Sequence, residues 1–181
     1  MKKHIIAALT IFLLIGFGAY AANPGPSSFD ITTNVQGINK MKITASEFTG
    51  TAPGQFDDAE AFAESLAIST SGTQEFSAWL STMSNNRSGY KVTMTATAMK
   101  STIAEKADSY INYTVTVNSK AITTNDGGAS TPVSQDVITV TSLTGLAKQS
   151  HQITLSVDQT SFEAAVEGSY SGTVTFTYTA T

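Results

Sequence analysis

Threonine and serine alternate with apolar residues through most of this chain, and a period of two is the pleat of a β-strand with one buried face. From Tyr90 to Ala98, one face carries Tyr90, Val92, Met94, Ala96 and Ala98. Ile111, Tyr113, Val115 and Val117 form a second such row, and Ile153 to Val157 repeats the pattern. The last stretch aligns Tyr170, Gly172, Val174, Phe176, Tyr178 and Ala180 against a threonine face at positions 173, 175, 177 and 179. Turn-forming clusters separate the runs: Thr51-Ala-Pro-Gly54, Thr70-Ser-Gly72, Asn85-Asn-Arg-Ser-Gly89, Asn125-Asp-Gly-Gly128 and Thr144-Gly145. Short strands at this spacing predict an all-β sandwich. One stretch departs from the pattern: Asp57 to Ala67, with Phe56, Ala59, Phe62, Ala63 and Leu66, predicts a short helix or turn, with strand as the alternative for its C-terminal part.

The N-terminal residues read as an export signal. Met1-Lys2-Lys3 is basic, Ile5 to Phe17 is apolar, and Ala19-Tyr20-Ala21 is a small-x-small cleavage site. The apolar run is short for a bilayer span and Pro24-Gly25-Pro26 follows it, so residues 1–21 are expected to be removed rather than to anchor the chain. Roughly 160 residues remain, enough for one domain with a real core. Their 8 basic residues stand against 14 acidic ones, a net charge of −6 with no basic cluster. That balance argues against nucleic-acid binding, and no second apolar run is long enough to insert in a membrane. Cysteine is absent, which removes disulfides, thiol catalysis and zinc–thiolate sites.

Two segments of this reading raise a question of pairing. Phe29, Ile31, Thr33, Val35 and Gly37 alternate with polar residues, behind a Pro/Gly/Ser lead with too little apolar content to pack. Far away in sequence, Gly168 to Thr181 forms an uncharged, well-patterned strand. A strand with one unpaired edge is a template for another strand. If the neighbour of the final strand is missing, a donated strand can fill the gap, with main-chain hydrogen bonds for affinity and alternate side chains for register. Two plainer readings compete: an ordinary edge strand of a self-complete sandwich, and a normal first strand running unbroken from Phe29 through Ile43, with the boundary near Gln36 to Asn39.

On these residues the chain resembles a pilus (fimbrial) subunit of the chaperone–usher type. Members of that family carry a glycine fourteen residues from the C-terminus, which Gly168 matches, and apolar residues in alternation after it, which Val174, Phe176 and Tyr178 match. Ala180 departs from a penultimate tyrosine common in the family, and the absence of cysteine departs from its frequent disulfide. The likeness is therefore to cysteine-free branches, the common-pilus and class-5-like major pilins. It covers the signal, the arm and the last strand, and the middle only in class.

The resemblance implies an immunoglobulin-like sandwich over residues 38–181 that lacks its final strand, preceded by a donor-strand arm over residues 22–37. Phe29, Ile31, Thr33 and Val35 would be the donor residues. Gly168, Tyr170, Gly172, Val174, Phe176 and Tyr178 would form the acceptor and chaperone-recognition edge. The implied partners are identical subunits in a homopolymer, a periplasmic chaperone, an outer-membrane usher and a tip adhesin, with the fibre displayed on the bacterial surface. No cofactor is implied.

Catalytic signals are weak. His4 leaves with the signal, and His151, the other histidine, opens a predicted strand in a structural role. Asp57, Asp58 and Glu60 lack the spacing of a calcium loop. Trp79 and Phe76 read as core rather than as a sugar platform. The alternative of a different class is a secreted, self-complete sandwich that binds carbohydrate or a host surface through exposed aromatics.

Overall fold

The computed structural model describes residues 28–63, 65–103, 109–125 and 133–181. The signal segment 1–21, the start of the arm at 22–27 and most of the Asn125–Gly128 turn lie outside the described residues. Residues 35–181 form one compact unit, and residues 28–34, which belong to a separate one, carry no regular secondary structure.

The compact unit is built of antiparallel strands. One sheet runs in the order β1 (Asn39–Thr44), β3 (Trp79–Ser84), β10 (Ala147–Val157), β7 (Tyr113–Val117) and β8 (Lys120–Thr123), with β2 (Gly72–Thr73) on the end of β10. A second runs β12 (Val174–Ala180), β4 (Tyr90–Ala96) and β9 (Val133–Val140), and a third runs β11 (Tyr170–Ser171), β5 (Met99–Ser101) and β6 (Tyr110–Ile111). The inward rows of the two larger sheets make one core: Leu80, Val115, Val117 and Ile153 from the first, Tyr90, Val92, Met94, Val137 and Ile138 from the second. The fold is thus all-β and sandwich-like.

The threonine alternation of β4 and β7 translates directly into burial, with every second residue buried in both strands. β3 behaves differently, because five of its six residues are buried and both of its faces are covered. Leu80 and Thr82 face the main core, where the Thr82 and Tyr90 hydroxyls meet at 2.9 Å. Ser81 and Met83 face outward beneath residues 45–59. There Phe48, Phe56 and Met83 form a second small core, with the two rings edge-on at 4.9 Å. Lys42 holds that layer down by donating to the carbonyls of Phe56, Asp57 and Ala59. Lys40 pairs with Asp57.

Several sequence expectations are corrected. The helix α1 is Pro53–Asp58, placed earlier than expected because Pro53 sits in its first turn and the Gln55 side chain accepts from the Thr51 and Ala52 amides. Residues 59–63 are not helical, and Ala61 bridges Thr44. β10 starts at Ala147, so His151 lies inside a strand. The rows at 90–98, 111–117 and 170–180 are each cut where the chain changes sheets, at Thr97–Ala98, at Asn112 and at Gly172–Thr173. A helix α2 (Gln159–Ala164), capped by Asp158 onto the Ser161 amide, follows β10.

Candidate functional site

β12 is laddered to β4 along its whole length: Val174 opposite Ala96, Phe176 opposite Met94, Tyr178 opposite Val92 and Ala180 opposite Tyr90. Val92 and Met94 are 0% exposed. Val174, Phe176 and Tyr178, on the same face one strand over, are only half-buried, although all three pack on the core. Among the described residues, no strand pairs with the other edge of β12. The first sheet ends in the same way at β1, where Met41 and Ile43 also reach the core half-buried. Among the described residues, only the end of β1 is occupied on this edge, by bonds from Phe62 N–H to the Ile43 carbonyl and from Ala45 N–H to the Glu60 carbonyl. Two unpaired edges with half-covered apolar rows therefore bound a seam.

One end of the seam is bridged. The Tyr178 hydroxyl donates to Asn39 Oδ1 at 2.8 Å and Ser84 Oγ at 3.2 Å, reaching from β12 to the first sheet. Its ring stacks on Tyr90 at 4.9 Å, 16° from parallel. Burial raises the Tyr178 pKa above 10 and the Ser84 bond tempers the rise, so the hydroxyl stays a donor near neutral pH. The β3–β4 turn ties two further segments to this end. Asn85 grips residues 36–38 through Ile38 N–H to Oδ1 at 2.6 Å, Nδ2 to the Gln36 carbonyl at 2.8 Å, and its own N–H to the Ile38 carbonyl at 3.1 Å. Asn86 Nδ2 reaches the Thr181 carbonyl, and Thr181 N–H donates to the Gly89 carbonyl.

The remaining acceptor candidates lie off this row. Gly168 precedes β11 with φ +146°, a backbone conformation that favours glycine, and a Cβ there would also press on the end of the Ile103 side chain. Tyr170 pairs with Ser101 in the third sheet, its hydroxyl held by Ser109 and the Val166 carbonyl. Gly172 sits between β11 and β12, where a Cβ would meet the Thr97 carbonyl oxygen at 2.9 Å. The donor candidates Phe29, Ile31 and Val35 are 83%, 84% and 78% exposed, and Thr33 is exposed.

Other surfaces carry less chemistry. Two adjoining shallow depressions share Asn112 and Asp158 and are lined by Thr114, Thr123, Thr160 and Tyr110. Much of their polar lining is turned inward: Thr114 bonds Thr123, Thr124 donates to the Asn112 side chain, and Asp158 accepts from the Ser161 amide, which lowers its pKa. His151 Nε2 lies 3.1 Å from Gln149 Oε1, and burial depresses its pKa. Phe76 packs on the core beside Phe62, and Trp79 is half-buried on β3. No cluster of three or more His, Cys, Asp or Glu residues suited to a metal occurs among the described residues, and no helix among them is long and apolar enough to cross a membrane. The Tyr178 partners Asn39 and Ser84, and Asn85, which holds residues 36–38, were not marked by pattern; Asn85 read only as part of a turn. Comparison of the chain with known protein families and with curated protein sequences gives no match.

Proposed function

We propose that this chain is the structural subunit of an adhesive surface pilus, an immunoglobulin-like sandwich short of one strand that is completed in trans. The single observation that carries this reading is the contrast along one ladder: the inward row of β4 is buried while β12, its register partner, keeps among the described residues an unpaired edge and a half-covered row of Val174, Phe176 and Tyr178. A strand laid in the seam would cover that row and satisfy the edge. The exposed Phe29, Ile31 and Val35 supply a donor of matching period. Burying each is worth roughly 1.5–3 kcal/mol by area. An arm on one molecule and a seam on the next make a head-to-tail contact that extends without closing. In this scheme a periplasmic chaperone fills the seam first, an outer-membrane usher exchanges it for the arm of the next subunit, and a tip adhesin ends the fibre. The protein's role is structural rather than catalytic.

The test is to compare thermal unfolding of three proteins: the chain starting at Ala22, the same chain without residues 22–37, and that truncated chain with residues 27–37 placed after Thr181 behind a short flexible linker. The expected result is a monomer of sharply raised melting temperature for the third protein alone. Equal melting of all three as monomers overturns the reading and points to a self-complete sandwich, whose polar depressions would then be tested for glycan binding.

A further inference from the structure

We infer that the two ends of the compact unit are the two halves of a docking contact between successive copies of this chain, Arg87 and Leu146 on one copy against Glu163, Val166 and Glu167 on the next. The inference rests on the proposed function and adds to the donated strand a contact between the folded domains themselves. β10 marks the two ends, since it begins at Ala147 opposite Ser84 and finishes at Val157 opposite Tyr113. The first end holds the β3–β4 turn and the connection from β9 to β10, tied by the Leu143 N–H donating to the Arg87 carbonyl at 3.3 Å. The second holds Asp158, α2 and the segment leading to β11. It is tied by the Asn112 N–H donating to Ser161 Oγ at 2.9 Å and the Tyr170 hydroxyl donating to the Val166 carbonyl at 3.0 Å.

Five large apolar side chains are exposed among the described residues. Phe29, Ile31 and Val35 belong to the arm. The other two, Leu146 at 42% and Val166 at 39%, stand at opposite ends of the compact unit. One exposed apolar residue is ordinary on a protein surface. What distinguishes these two is the charge beside each. Residues 85–89 and 141–146 contain Arg87 and no acidic residue. Arg87 is exposed and its side chain has no partner among the described residues, whereas Lys40 and Lys91 are paired with Asp57 and Asp136. Val166 lies instead between Glu163 and Glu167, with Asp158 at the start of the same segment, all three acids exposed. Glu163 is bonded to Gln159 and Asp158 to Ser161, neutral partners that leave both carboxylates charged. Lys100, half-buried in β5, offsets only one of these charges.

A head-to-tail fibre needs two different patches that fit each other, not one that fits itself. Like ends brought together would oppose Arg87 to Arg87, or carboxylate to carboxylate. Unlike ends bring Leu146 to Val166 inside a rim of opposite charge, an arrangement that speeds the right encounter and rejects the wrong one.

The test follows assembly of the chain starting at Ala22 by light scattering and sedimentation, at about 20 mM and about 500 mM salt. R87E, the pair E163R/E167R, and all three changes together would be compared with the unchanged chain. R87E and E163R/E167R are each expected to slow assembly roughly tenfold at low salt and much less at high salt. The combined variant should regain most of the lost rate, because the exchanged charges again oppose one another; a variant that merely failed to fold would not be rescued in this way. L146S and V166S should slow assembly at both salt concentrations. Rates equal to that of the unchanged chain in every variant overturn the inference while leaving the proposed function standing, as does a combined variant no faster than R87E alone. An unchanged chain that folds and stays monomeric overturns the proposed function, and the inference with it.

Discussion

β4 and β12 are neighbours with the same alternating sequence, joined residue by residue over seven pairs, yet they live in different environments. Tyr90, Val92, Met94 and Ala96 are buried between two strands and the opposite sheet. Val174, Phe176 and Tyr178 have the opposite sheet and one strand. Period two states that a strand has an inner face. Whether that face is covered depends on what lies on the strand's far side, which no local pattern encodes.

Three measurements would break or sharpen this contrast. The largest effect is expected in the apolar rows. Met94→Ala should cost about 2–5 kcal/mol, the range for a large-to-small change in a closed core. Phe176→Ala, from a half-covered site, should cost only about 1 kcal/mol by the area it buries. Chemical denaturation of the two variants reads the difference. Adding a peptide of residues 27–37 should narrow it, because the peptide's stabilisation depends on Phe176; equal costs without peptide would show the seam to be as closed as the core.

Next comes the hydroxyl pair inside β4's environment. Tyr90→Phe leaves the fully buried Thr82 hydroxyl without its partner, at a cost of about 1–3 kcal/mol. Tyr178→Phe should cost less, since Asn39 and Ser84 still bond each other. If the two changes cost the same, the bridge across the seam is as rigid as the core.

The smallest effect is the pH response of His151. Its folded pKa is held below 6.5 by burial, so the unfolded chain binds the proton more readily. Stability is then full above about pH 6.5 and is lost as pH falls through that value toward the folded pKa. Wild type should weaken between about pH 7.5 and about pH 5.5, and His151→Gln should weaken less over the same interval. Parallel pH curves for the two proteins would place the titrating group elsewhere.

Much of the sandwich was legible because its strands are half-buried. β4, β7, the end of β10 and β12 each show apolar and hydroxyl residues in alternation and lie within the rows the pattern marked, although three of those rows run on past the strand where the chain changes sheets. β3 was invisible for a physical reason. With both faces covered, Trp79 to Ser84 needs no alternation, and its serines and threonine are satisfied by Thr44, Ser150, Tyr90 and Asn39 from other strands. In β9 a register shift opposite Val92 and Thr93 turns both Val137 and Ile138 inward and erases the period. In the stretch from Asp57, expected as a short helix or turn passing into strand, the helix ends at Asp58, Ala61 bridges Thr44, and the Phe62 ring packs against Phe76. In the seam, the apolar row was readable from sequence, whereas the polar bridge was not: Asn39, Ser84 and Asn85 are ordinary turn and strand residues until the fold brings them to Tyr178 and Ile38.

The pairing of β12 with β4 also has a kinetic side. Ala180 must find Tyr90, and Val174 must find Ala96, across most of the second half of the chain. Closing so long a loop is slow, and topologies dominated by such distant pairings fold in milliseconds to seconds rather than microseconds. During that interval one edge of the apolar row of β4 stands open, and intermediates with open strand edges are the species that aggregate. The yield of soluble protein should therefore follow how fast the last strand docks, more than how stable the docked sandwich becomes.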